Sequence, residues 1–295
     1  MGINVVKILG VRGSVPVSGA AFARYGGATT CFFVRLAGQP FVLDAGSGML
    51  ALPSVLQPEE KQLTLLLTHP HADHLLGLPM CKTVFEPDRK IDFYASVRGT
   101  LHAEAQLQRL MTPPLWPVDP ADLPADICFH DLPEEMQLGA VRVRSMEGIH
   151  PGGVSLLRLD GDGKSIVLAT DCSLTESLLP KAVEFARNCD LLLCDGQYQE
   201  SEWAAKSTFG HNTWTSAAAF GRLCGAKQTR IIHHNPTRTD DELDAATEEL
   251  GAGCTFAYEG HEFLASVRNA DQRAREDALN MLNAHRIESK KEDLT

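Results

Sequence analysis

The residues His69-Pro70-His71-Ala72-Asp73-His74 put three imidazoles and a carboxylate into six positions, directly after the apolar run 63–67. Neutral imidazole nitrogen and carboxylate oxygen are the donors that divalent cations such as zinc take. A continuous apolar run of this length reads as a strand buried on both faces. The turn that follows it, restrained by Pro70, can aim alternating side chains into one cavity. Asp73 and His74 are then placed to serve a different centre from His69 and His71. With 11 histidines in 295 residues, three within one strand-end turn is a poor fit to a solvated polar loop. The chemistry such a set supports is metal-dependent hydrolysis.

Other candidates stand singly at strand ends. Asp44 closes Phe41-Val42-Leu43-Asp44-Ala45-Gly46, and His150 lies in Glu147-Gly148-Ile149-His150-Pro151-Gly152-Gly153. Asp171 ends Val167-Leu168-Ala169-Thr170-Asp171, and His233 and His234 follow the apolar run of Arg230-Ile231-Ile232-His233-His234-Asn235-Pro236. Adjacent strand residues point to opposite faces, so only one of His233 and His234 readily enters a common site. Taken in order, these segments and the His-x-His-x-Asp-His run resemble the motifs of the metallo-β-lactamase superfamily. The resemblance implies one cation held by His69, His71 and His150, and a second by Asp73, His74 and His233. It also implies that Asp171 bridges the two and that Asp44 orients ligands without binding metal. Its register favours His233 over His234. At the Asp171 position the antibiotic-hydrolysing branch that uses a thiolate carries cysteine; here Cys172 comes one residue later and is expected to point away.

Two cations about 3.5–4 Å apart can share one solvent oxygen and lower its pKa from about 15.7 toward 7. Zinc is the expected ion, with manganese and iron compatible with the same donors. Phe209-Gly210-His211-Asn212-Thr213 resembles a segment of the superfamily's phosphodiesterases, among them tRNA 3′-processing ribonucleases and cyclic-phosphate phosphodiesterases. That likeness makes His211 the candidate general acid, beside Asp73 as the other catalytic residue. Asn212 departs from the usual serine and puts one phosphate contact in doubt. The glycine-rich block from Gly10 to Cys31 resembles the same branch and offers Arg12 and Ser14 as contacts to an anionic substrate; Arg238 is a third. The implied function is cleavage of a small, even cyclic, phosphodiester. The alternative is a lactonase or β-lactamase-like enzyme opening a cyclic ester or amide. Related redox domains replace one of the paired histidines with a carboxylate, so His71 argues against them. No long insertion of the kind that grips tRNA stands between Asp171 and His211.

The elements that must position these residues are strands with helices between them. Strands are expected at 3–11, 31–36, 40–43, 63–68, 91–95, 127–129, 141–144, 154–159, 165–169, 191–194, 229–232, 254–258 and 262–265. Helices are expected from residue 72 and at 99–111, 174–187, 213–224, 240–250 and 269–286. The proline-rich stretch 112–124, with Trp116, reads as a surface loop that could cover a site. This order fits an α+β fold, and the resemblance makes it an αββα sandwich: two mixed sheets with helices on both outer faces. Residues 1–268 would form the hydrolase domain and 269–295 a helical extension that leaves a homodimer open. The chain is 44% hydrophobic and 22% charged, which suits a globular core. A net charge of −11 disfavours a nucleic-acid polymer as partner and suits a small anionic diester met by metal. No run is apolar enough to span a membrane, and no C-x-x-C pair occurs among the eight cysteines. Without a secretory pattern at the N-terminus, reduced thiols and a cytoplasmic location are expected.

Overall fold

Alternating apolar side chains divide each central strand between two hydrophobic layers. The computed structural model describes residues 4–263. In the first sheet are β1 (Val5–Gly10), β2 (Cys31–Leu36), β3 (Gln39–Leu43), β4 (Gln62–Leu67), β5 (Lys90–Ala95) and β6 (Asp126–Asp131). In the second are β7 (Glu135–Leu138), β8 (Val141–Gly148), β9 (Val154–Gly161), β10 (Lys164–Ala169), β11 (Leu191–Asp195), β12 (Thr229–Ile232) and β13 (Cys254–Phe256). A short β14 (Glu262–Phe263) returns to pair with β1. The two sheets run in the orders β14-β1-β2-β3-β4-β5-β6 and β13-β12-β11-β10-β9-β8-β7.

Val6, Ile8, Phe32, Val34, Phe41 and Leu43 of the first sheet meet Leu157, Leu159, Ile166, Leu168, Leu191 and Leu193 of the second in one buried layer. The alternate residues face outward. Val5, Phe33, Val42, Leu63, Leu65 and Phe93 pack under α1 (Ala103–Leu110) and the 3-10 segment Ser47–Ser54. Val167, Ala169, Leu192, Cys194 and Ile231 pack under α2 (Leu179–Ala186), α4 (Trp214–Cys224) and α5 (Asp240–Leu250). A single turn, α3 (Trp203–Lys206), lies between β11 and α4. The period-2 pattern thus produces the expected four layers, two sheets inside and helices outside.

Strand direction sets the position of the site. β3, β4, β5 and β6 are mutually parallel, as are β10, β11, β12 and β13. Parallel neighbours end at the same edge, so the carboxyl ends of β3 and β4 lie side by side, as do those of β10, β11 and β12. The residues leaving those ends are Asp44, His69, Asp171, Asp195 and His233.

Several local expectations need correction. The helix expected from residue 72 is one 3-10 turn, Ala72–His74, in which Asp73 and His74 are both buried; Gly77 and Pro79 prevent its continuation. The helix expected at 99–111 begins at Ala103 because Arg98 and Leu101 close a bridged turn ahead of it. The one expected at 174–187 begins at Leu179, with Pro180 in its first turn. β7 and α3 were not expected. The proline-rich loop covers no site: Trp116, Val118 and Leu123 pack on the outer layer of the first sheet. Two expectations, the end of the last strand at 264–265 and the helix 269–286 with its extension, lie outside the described residues. Among the described residues no helix is long and apolar enough to cross a membrane, and all eight cysteines are unpaired.

Candidate metal centre

Seven side chains from four chain segments converge between the sheet edges in two groups. In the first are His69, His71, His150 and Asp171; in the second are Asp73, His74, Asp171 and His233. Within each, one donor atom per residue lies within 4.8 Å of the others. Asp171 belongs to both and divides its carboxylate between them. Its Oδ2 is 3.7 Å from Nε2 of His69 and of His150. Its Oδ1 is 3.3 Å from His74 Nε2 and 3.1 Å from His233 Nε2. Asp73 Oδ2 completes the second group at 3.2 Å from His233 Nε2 and 3.4 Å from His74 Nε2. In the first group His150 Nε2 and His71 Nδ1 point at one another across 3.1 Å.

The second nitrogen of most rings is tied back, which fixes the tautomer and the donor that faces inward. His74 Nδ1–H donates to Asp44 Oδ2 (2.7 Å), and Asp44 also accepts from the Thr68 amide (2.7 Å) and hydroxyl (2.9 Å). His150 Nδ1–H donates to the Gly210 carbonyl (3.2 Å), and His69 Nδ1 is 3.1 Å from the Thr68 hydroxyl. The inward Nε2 atoms of His69 and His74 are buried and have no hydrogen-bond partner. A buried orphan donor or acceptor is costly, and two nitrogens aimed at clustered carboxylates fit coordination of a cation. Charge points the same way. Burial opposes protonation of His233, but Asp171, Asp73 and Asp195 outweigh it and hold the ring up to about 10. Burial works to raise Asp171, and His233 and His74 outweigh it to hold the carboxyl well below its ordinary range. The carboxylates demand positive charge; the imidazoles supply it as protons where cations can supply it as ligand bonds. Burial, aided by the neighbouring His211 and His71, outweighs Asp171 and lowers His150 to about 4, so this ring is neutral and ready to ligate.

Strained backbone shapes the site at four positions, two of them in the groups themselves. Ser14 (φ 65°), Asp44 (58°), Asp171 (48°) and His233 (60°) all lie in the left-handed region that non-glycine residues avoid. Asp44, Asp171 and His233 lie just beyond the ends of β3, β10 and β12, and there the reversed twist turns the side chain out of the sheet toward the centre. His233 also depends on Gly13, where a Cβ would stand 2.3 Å from its ring. His234 turns the other way and donates from Nε2 to the Ala257 carbonyl (2.8 Å), so the choice between the two histidines falls on His233 in geometry as well as in register.

Beside the two groups sits a pair that the sequence reading half missed. His211 Nδ1–H donates to Asp195 Oδ2 at 2.7 Å. The His211 ring stacks on His233 at 5.0 Å and meets His150 edge-on at 5.2 Å. Asp195 is fully buried. Its Oδ2 also accepts the Asp171 amide (3.2 Å) and lies 3.5 Å from His233 Nδ1. Its Oδ1 accepts the amides of Gln197 and Asn212, each at 3.2 Å. One carboxylate therefore holds His211, the backbone of Asp171 and the loop before α4. The only sequence signal for it is that the apolar run of β11 ends in an acid followed by glycine.

Residues 40–234 match the family described as the Beta-lactamase superfamily domain, which is most of the chain and every residue of the two groups. The chain belongs to the metallo-β-lactamase superfamily. Among its relatives, Rv1339 of Mycobacterium tuberculosis, a protein without an assigned function, is 27% identical over 216 residues, covering 72% of this chain and 76% of that one. Ribonuclease Z of Treponema pallidum is 22% identical over 291 residues, covering 82% and 90%. Among solved structures, the metallo-β-lactamase-fold protein YhfI of Bacillus subtilis superposes with a TM-score of 0.68 at 17% identity, covering 89% of this chain and 99% of that one. A diphosphatase of the PhnP family gives 0.65 at 19% identity, covering 88% and 97%. Zinc-bound PqqB of Methylobacterium extorquens gives 0.64 at 18%, covering 88% and 99%. At these identities the structural likeness is one of fold.

Loops at the sheet edge border the two metal-binding groups of this metallo-β-lactamase-fold chain. A cavity of about 340 Å³ opens over them, lined by Ser14, His71, His150, Tyr198, Phe209 and His211 among others. Ser14 lines this cavity; its amide donates to Asp73 Oδ2 (2.7 Å) and its hydroxyl accepts from Gln197 (3.3 Å). Arg12 and Arg238, expected beside it, do not line the cavity. Arg12 is wholly buried; its guanidinium donates to the carbonyls of Gly26 (2.7 Å), Arg238 (2.7 Å) and Asn235 (3.3 Å), and Asp240 lies 3.7 Å away. Arg238 pairs with Glu202 (2.6 Å) and Glu242 (3.2 Å) and lies over Trp214. Both arginines fasten the loops behind the site through these bonds, with Arg12 Nη2 and Arg238 Nε left without a hydrogen-bond partner. Asn212 also faces inward, donating to the Cys172 carbonyl (2.6 Å) and accepting the Leu174 amide (3.0 Å). Cys172 points away into the core of the second sheet, and burial pushes its thiol up to about 12.

Proposed function

We propose that this metallo-β-lactamase-fold hydrolase is a dinuclear phosphodiesterase acting on a compact diester. His69, His71 and His150 would hold one cation, Asp73, His74 and His233 the other, with Asp171 shared between them. Zinc suits the donors best, and manganese or iron fit them too. Such ions, when bound, supply a water acidified toward neutral pH and positive charge for the phosphate oxygens.

The observation that carries the phosphodiesterase reading is the His211–Asp195 pair facing the cavity beside both groups. Asp195 accepts the Nδ1 proton of His211 and fixes the ring, which leaves Nε2 as the nitrogen that hands a proton to the departing ester oxygen. An alkoxide is a poor leaving group at neutral pH, and a positioned general acid contributes about 10²–10⁴-fold. Asp73 takes its catalytic part through position: it accepts the Ser14 amide while facing His74 and His233, tying the floor of the cavity to the second group. Asp44 keeps His74 and Thr68 in place. A compact substrate agrees with the cavity volume, and a small anion in place of a nucleic-acid strand agrees with the acidic chain.

The test is turnover by metal-loaded protein of a 3′,5′-cyclic nucleotide, whose leaving group is an unactivated alkoxide, and of a lactone and a β-lactam, with His211→Ala in parallel. The expected result is diester cleavage by the wild type, with His211→Ala retaining its metal and losing about 10²–10⁴-fold in kcat. Cleavage of the lactone or β-lactam without cleavage of the diester, indifferent to His211, would overturn the proposal in favour of a ring-opening enzyme.

A further inference from the structure

Phe209 presents a large apolar ring to solvent at the mouth of this cavity; it is 53% exposed and among the lining residues. Its backbone is fixed. Its amide donates to the Lys206 carbonyl at the end of α3 (3.0 Å), and the next residue, Gly210, accepts His150 Nδ1–H. Gly210 adopts φ 88°, and a Cβ there would stand 2.3 Å from His150 Nδ1, so the loop lies directly on that ligand. His211 follows at once. Phe209 is thereby held at a constant offset from both the first metal-binding group and the His211–Asp195 pair. Pro151 and the Tyr198 ring, whose centroid is 5.7 Å from that of His211, line the same cavity.

The charges of the lining are concentrated at its floor. Apart from the metal-binding residues and His211, the described lining residues are Ser14, Pro151, Tyr198, Thr208 and Phe209, all uncharged. Such a wall suits a ligand whose single negative charge sits at the floor while the rest of it is neutral and flat. Exposed aromatic rings beside a polar centre bind by burying apolar area and by ring stacking.

Building on the function proposed above, we infer that Phe209 is a specificity residue: it binds an aromatic ester arm, so the preferred substrate class is a singly charged phosphodiester carrying a flat aromatic group. Two anions of equal charge with no ester bond to cleave, methyl(phenyl)phosphinate and ethyl(methyl)phosphinate, test this by calorimetric titration of the metal-loaded protein. The wild type is expected to bind the phenyl compound at least about tenfold more tightly, as the buried area of one ring implies. Phe209→Ala should reduce that preference below about threefold while leaving the ethyl affinity unchanged, and Phe209→Trp should restore it. Equal affinities in the wild type, or a preference that survives Phe209→Ala, would overturn the inference. So would a dimer that Phe209→Ala converts to monomer with the arm preference intact, since the ring would then belong to a contact between copies. Binding is read apart from turnover. A protein that prefers the phenyl arm yet cuts no diester sinks the proposed reaction alone, and one that cuts diesters without arm preference sinks the role of Phe209 alone.

Discussion

Replacing Asp195 by asparagine tests whether His211 works as an oriented acid. The substitution keeps the volume and removes the charge. Asp195 Oδ2 accepts from His211 Nδ1 at 2.7 Å, and Oδ1 accepts two backbone amides at 3.2 Å each. An asparagine oxygen can satisfy one of these sets, and its NH₂ must then confront the other with donor against donor. If the oxygen stays with the amides, the NH₂ meets His211 and forces the opposite tautomer, with the proton on the wrong nitrogen. A hydrogen bond to a charged group is worth about 1.5–3 kcal/mol, and a buried unsatisfied group costs about 1–3 kcal/mol more. If both are felt in the transition state, the loss is about 2.5–6 kcal/mol, or about 10²–10⁴ in kcat at 1.36 kcal/mol per decade. The assay is 3′,5′-cyclic-nucleotide turnover, which needs a proton for its alkoxide leaving group, under saturating metal, with elemental analysis of the same samples to follow bound metal. A variant that keeps its metal and turns over within about threefold of wild type would refute the reasoning. Loss of metal alongside activity would assign Asp195 to holding His233 in place of serving His211.

Asp171→Ala should abolish both metal occupancy and turnover, because each group loses the donor they share; two bound ions by elemental analysis would contradict that. Gly13→Ala drives a methyl against the His233 ring and should lower metal content from two ions per chain toward one, measured by the same analysis. Removal of metal by a chelator should abolish turnover, with zinc readdition restoring it. His261 is held to about 4 by burial and by the nearby Arg230 charge. Its folded pKa therefore lies below its unfolded value near about 6.5, so its contribution to stability is complete above the unfolded value and is lost as pH falls through about 4. His261→Gln should remove that part of the fall in thermal midpoint between pH 7 and 4, read by circular dichroism; an unchanged pH profile would show that His261 does not contribute.

How much of this was legible in the sequence depended on the range of the interaction. His69, His71, Asp73 and His74 stand in one short turn, and their chemistry is visible without the fold. His150, Asp171 and His233 were assigned by the resemblance of their segments to the family's motifs; Asp171 and His233 also close apolar runs whose parallel strands end at one edge, whereas His150 follows β8, which is antiparallel to both neighbours. Asp195 follows such a run too, yet its partners His211 and Asp171 are 16 and 24 residues away; nothing local separates it from any acid that closes a strand. Arg12 misled in the opposite direction. A guanidinium in a glycine-rich loop looks like an anion contact, and only the tertiary arrangement shows its donors committed to three carbonyls. The strand pattern gave the two sheets because period-2 alternation is strong in β10 and β11, whereas the helix starts slipped where prolines and bridged turns override propensity.

The left-handed residues Ser14, Asp44, Asp171 and His233 carry a consequence for anyone wishing to harden the protein against heat. Each conformation of this kind costs roughly 1–3 kcal/mol, and glycine relieves it while returning part of the gain to a looser unfolded chain. At Asp44, Asp171 and His233 the relief is outweighed by what the side chain holds; Asp44 alone accepts three buried hydrogen bonds. Ser14 is the exception, since glycine there keeps the amide bond to Asp73 and gives up only the contact with Gln197. Torsional strain beneath the centre is released only by dismantling it, whereas strain at its rim is open to engineering.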